Sequence, residues 1–140
     1  MCLPIKVARP DNVLAEGTHM GHEWAVTHNT NGYRCGYVKV EPGHPWHGKT
    51  DSDLYESGAY PKVHGGITFA EADTPCDKGG PDNGWWLGFD CAHHGDAQDT
   101  TLPLEHKMPA FLGGIVRTQE YVESECRSLC EQAAEAGRSK

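Results

Sequence analysis

The sequence predicts an α+β fold, an antiparallel sheet of about four to five strands with one amphipathic C-terminal helix packed on one face. Three observations predict it. Short runs of alternating apolar residues lie between turn-forming clusters. The pair Asn31-Gly32 separates two such runs and supplies the positive φ that a hairpin turn needs. After Thr118 the apolar period changes from two to that of a helix.

Residues 1–21 show no steady period and read as an irregular lead-in. Trp24, Val26 and His28 then alternate with Ala25 and Thr27. Past the turn, Tyr33, Cys35 and Tyr37 share one face of a second strand that runs to Val40. Residues 41–62 are rich in proline and glycine and read as a long surface loop. Within it, Trp46 reads as an exposed lid or partner anchor. Val63–Ala70 reads as a third strand, residues 71–84 as turns and Trp85–Ala92 as a fourth strand. Residues 93–117 are mostly loop, with a short apolar stretch from Pro109 to Val116. The helix spans 118–137. Thr118 caps its start, Gly137 ends it, and Val122, Cys126, Leu129, Cys130 and Ala133 form one stripe.

With 140 residues the chain reads as one domain over 1–140. Its net charge of −8 disfavours the phosphate backbone of duplex nucleic acid. Neither a signal peptide nor an apolar run long enough to span a membrane is present, so the expected place is the cytoplasm. The six cysteines are then expected to be reduced thiols, mostly small core residues.

Pairing the third and fourth strands antiparallel suggests a binding face. One register sets His64 opposite Asp90, Gly66 opposite Gly88 and Thr68 opposite Trp86. The two glycines would leave a bare backbone floor, walled by an indole, where a flat ring could lie. The opposite face would hold Val63, Ile67, Phe69, Trp85, Leu87, Phe89 and Cys91 as core.

The run after the fourth strand gathers groups that do chemistry. Asp90, His93, His94 and Asp96 combine imidazole and carboxylate, which suits zinc or a similar divalent ion. The same groups suit acid–base work, because a carboxylate orients an imidazole and stabilises its cation. Two His-x-x-His pairs, His19/His22 and His44/His47, read as loop features. The chain has no phosphate-binding glycine loop, nucleophile elbow or zinc-protease motif.

Taken together, Gly36-Tyr37-Val38, Pro42-Gly43-His44-Pro45, Val63-His64-Gly65-Gly66-Ile67-Thr68-Phe69 and Trp86-Leu87-Gly88-Phe89-Asp90-Cys91-Ala92-His93-His94-Gly95-Asp96 resemble an uncharacterised family of small proteins. That family is carried by bacteriophages and prophages. Its marks are His-Gly-Gly-(Ile/Leu)-Thr and Trp-x-Gly-Phe-Asp-Cys-Ala-His, and the likeness runs from about Glu23 to the final helix. It implies a setting, an accessory protein acting inside an infected cell, and assigns no catalytic residue.

Two functions are expected on these grounds. The first is a binder of a small aromatic or nucleotide-like ligand, or of a host protein, using His64, Gly66, Thr68, Trp86, Gly88, Asp90 and Trp46. The second is a small hydrolase using Asp90, His93, His94 and Asp96 with His64, around a metal or as acid and base.

Overall fold

The computed structural model describes residues 12–72, 84–103 and 114–138. Five strands form an antiparallel sheet in the order β1-β2-β3-β5-β4: β1 Val13–His19, β2 His22–His28, β3 Arg34–Val40, β4 Phe69–Ala72 and β5 Trp85–Asp90. A six-residue helix, α1 (Asp51–Glu56), precedes β4, and the twenty-residue helix α2 (Gln119–Arg138) closes the fold. Two-residue strands, β6 (Asp96–Ala97) and β7 (Ile115–Val116), pair in parallel at the side. No helix among the described residues is long and apolar enough to cross a membrane.

The hairpin of β2 and β3 forms as its alternation requires, with Trp24 opposite Val38 and Val26 opposite Gly36. Its connection is a five-residue loop in which Asn29 accepts the Asn31 and Tyr33 amides and Gly32 takes φ 79°. Helix α2 covers this hairpin. Thr118 Oγ1 accepts the Tyr121 amide as a start cap, and the whole stripe Val122, Cys126, Leu129, Cys130 and Ala133 is fully buried. Close approach is possible because β3 carries Gly36 here; a Cβ at Gly36 would sit 2.7 Å from Cys126 Sγ. Trp24, Val26, Val38, Leu87, Phe89 and Cys91 complete this core from the sheet.

The four described cysteines are free thiols. Burial pushes Cys91 and Cys130 up to about 12 and Cys35 up to about 11, and it raises Cys126 as well. Cys91, Cys126 and Cys130 are buried in the core, and Cys35 is partly buried against the second face.

Several expectations need correction. The lead-in contains β1, which pairs with β2 through a tight turn at Met20 (φ 52°) and Gly21 (φ 82°). As an edge strand it alternates only between partly buried and exposed residues, so its pattern is weak. The loop 41–62 contains α1, which starts with a reciprocal cap between Thr50 and Asp53. Trp46 is not an exposed tip but 5% exposed, packed in the core beneath α1. Gly137 lies inside the last turn of α2 rather than ending it.

The third strand is shorter and shifted. Only Phe69–Ala72 is strand, and Phe69, not Gly66, lies opposite Gly88. A shift of three residues reverses which side chains share a face. Phe69 therefore joins Ala25, Tyr37 and Trp86 on the second face, while Ile67, which precedes the strand, lies in the helix-side core as expected. The turn read over 71–84 and the apolar stretch from Pro109 lie mostly outside the described residues.

Candidate functional site

The bare floor is not formed. Tyr37 lies over Gly88, where a Cβ would stand 2.5 Å from its ring, and Trp86 is fully buried on the same face. Thr68 only hands its amide hydrogen to the Gly88 carbonyl, at 2.9 Å. His64 and Gly66 sit in a turn, with Gly65 at φ 70° and Gly66 at φ 80°. His64, Trp86 and Asp90 thus do not surround one opening.

The structure brings His64 to a different partner. Asp96, whose side chain is only 1% exposed, faces His64 Nε2 at 2.9 and 3.0 Å from its two oxygens. Arg117 Nε donates to the same carboxylate at 2.7 Å, and the His93 amide donates at 3.0 Å. Burial alone would raise the Asp96 carboxyl, but the bonds from Arg117, His64 and the His93 amide outweigh it and hold the group below the usual carboxylate range. In turn, the Asp96 carboxylate raises Arg117.

An ionised carboxylate can only accept, so Nε2 of His64 carries the hydrogen. Nδ1 is then the acceptor, and Tyr121 Oη donates to it at 2.9 Å. Burial and the charge of Glu125 raise the Tyr121 phenol, which keeps this donor protonated. Glu125 also accepts the His64 amide at 2.8 Å. Four segments therefore hold one imidazole in a single orientation: the turn at 63–66, the strand end at 90–96, the residues before α2, and α2 itself.

A second imidazole lies beside the first. His93 and His64 have ring centroids 6.2 Å apart. His93 Nε2 is 2.5 Å from Asp90 Oδ1, yet the two atoms lack the alignment of a hydrogen bond and have no other partner among the described residues. His93 and Asp90 side chains are 37% and 35% exposed, so solvent reaches the cluster from their side. Gly65 makes this packing possible, since a Cβ there would stand 2.4 Å from His93 Nε2.

No family model, curated protein or solved structure matches this chain. The site is therefore read from its own chemistry. Asp90, His93, His94 and Asp96 do not converge as one ligand set. Asp96 is committed to His64 and Arg117, Asp90 faces His93, and His94 points into solvent. Among the described residues no three His, Cys, Asp or Glu side chains are placed to hold a metal ion.

Three histidines of the two remaining pairs are clamps. His19 Nε2 meets Glu131 at 2.7 Å, and His22 Nδ1 donates to the Lys39 carbonyl at 3.0 Å. His44 donates from Nε2 to the Ala133 carbonyl at 2.7 Å and accepts the Trp46 amide on Nδ1 at 3.0 Å.

Arg117 and Tyr121 were not singled out by the sequence. A signal for Tyr121 was there: Tyr121, Glu125 and Gln132 follow helical spacing beside the apolar stripe, and all three hold residues 62–64. Nothing in the sequence marked Arg117 beyond its place just before the helix cap.

Proposed function

We propose that the chain is a small metal-independent acid–base hydrolase, with His64 as the proton-handling group and Asp96 as its orienting carboxylate. The observation that carries this reading is the placement of His64, whose Nε2 faces a buried carboxylate while Nδ1 faces only the Tyr121 phenol. Such an arrangement lets Nδ1 take a proton while Asp96 stabilises the resulting cation. Tyr121 holds the ring at rest and gives way to water or substrate at Nδ1.

Hydrolysis of an ester then runs as follows. A water oxygen bonds to the carbonyl carbon as one water proton passes to Nδ1. The carbon–oxygen bond to the leaving group breaks, and the leaving oxygen takes the proton from the imidazolium. Asp90 and Glu125 flank the cluster and repel anions, so an uncharged ester fits better than a phosphoester. His93 lines the solvent side of the cluster beside His64. The setting is the one implied by the phage-type resemblance, an accessory protein at work in the host cytoplasm.

The test is turnover of p-nitrophenyl acetate, p-nitrophenyl phosphate and bis-p-nitrophenyl phosphate by purified protein in chelator. Hydrolysis of the neutral ester above buffer, lost in His64→Gln with an unchanged circular dichroism spectrum, is expected. No turnover of any of the three, or turnover that survives His64→Gln, rules the reading out.

A further inference from the structure

We infer that a cavity of about 460 Å³ at the C-terminal end of α2 is a binding site for a small aromatic amine. It lies between Trp46, Leu54 and Ala136, with Pro45 at one wall. Tyr121, beside His64, and Ala136 are separated along α2 by roughly 22 Å at the helical rise. The cavity is thus a separate place from the acid–base cluster, and the inference rests on none of the residues of that cluster.

Its size falls in the range of pockets that hold small organic ligands, and its lining is mostly apolar. Trp46, though mostly packed in the core, contributes apolar atoms to the wall. The polar rim decides the charge of the occupant. Lys49 contributes one cation, whereas Asp53 and Glu56 contribute two carboxylates. The whole chain adds a net −8. A ring bearing an ammonium group is therefore drawn in, a neutral ring is tolerated and an anion is repelled. This also argues against a phosphorylated nucleotide as occupant.

Titration of ¹⁵N-labelled protein with tryptamine, indole and indole-3-acetate tests it, because the three share one ring and differ in charge. Tryptamine should shift the amide signals of Leu54, Ala59 and Ala136 saturably, indole more weakly, and indole-3-acetate least. Ala136→Trp, which fills the cavity from the helix, should remove the tryptamine shifts. Ala59→Phe fills it from an exposed loop position and serves if the helix variant folds poorly. Absence of saturable shifts with all three compounds overturns the inference. So does tightest binding by the anion, or tryptamine binding unchanged in a folded filling variant. Ester turnover is read separately on the same samples, so either proposal can fail alone.

Discussion

His64 Nε2 stands 2.9 Å from Oδ2 of Asp96, a carboxylate that is 1% exposed and lies 32 residues further along the chain. Removing that charge leaves Arg117 and His64 without their shared acceptor. Asp96→Asn should lower stability by about 3 kcal/mol, the scale for breaking a buried pair by taking one member. Its pH dependence has a fixed sign. The folded carboxyl lies below its ordinary value, so the stability it contributes is complete above the unfolded pKa, about 3.9. That contribution is lost as pH falls through the lower folded value. Denaturant titrations at pH 7 and at pH 3 should show a smaller acid loss in Asp96→Asn than in the parent. An equal acid loss in both would assign the acid sensitivity elsewhere.

Tyr121 and His64 separate by their variants. Tyr121→Phe removes one hydrogen bond and should cost about 1 kcal/mol. It should keep ester turnover, because Nδ1 of His64 stays in place. His64→Gln should reduce turnover by roughly 10²- to 10⁴-fold, the usual contribution of a positioned acid–base group. Steady-state kinetics on the folded variants decide it, and equal losses in the two would make the phenol part of the proton path.

How much of this was readable follows from where periodicity operates. Trp24–Val26 and the stripe from Val122 to Ala133 repeat on periods long enough to specify their elements, and both formed as read. Val63–Ala70 also alternates, but Gly65 and Gly66 allow a turn as readily as a strand, and the turn prevailed because His64 is tied to α2. The register of β4 on β5 depended on a connection whose sequence fixes no length of pairing, so an offset of three went unseen. His64 and Asp96 were both singled out by residue type. Their union could not be, since it is made by tertiary packing of the two loops against α2.

Gly65 offers a test of that packing. At φ 70° an alanine costs about 1–2 kcal/mol from backbone strain alone. Its methyl would also collide with His93, which must move. Gly65→Ala should therefore lower the thermal midpoint and shift the His93 ring resonances, while the signals of the β1–β2 hairpin stay put. A change spread evenly over all signals would mean general loosening instead.

The core beneath α2 should respond as a close-packed interior. Leu129 is fully buried between the helix and the sheet. Leu129→Ala should cost about 2–5 kcal/mol through lost transfer energy and the void left behind. Urea unfolding measures it. A loss under 1 kcal/mol would show that the helix seats less firmly on the sheet than its burial indicates.

Sulfur gives the molecule a gauge of its own opening. Cys91 follows directly on β5, and Cys126 and Cys130 lie on the helix, all of them sealed and hard to ionise. An alkylating reagent attacks only thiolate, so it reaches these atoms in the fraction of molecules whose interior has parted. Mass-resolved labelling would then time the release of the helix and of the strand end separately, in native buffer and without any engineered cysteine.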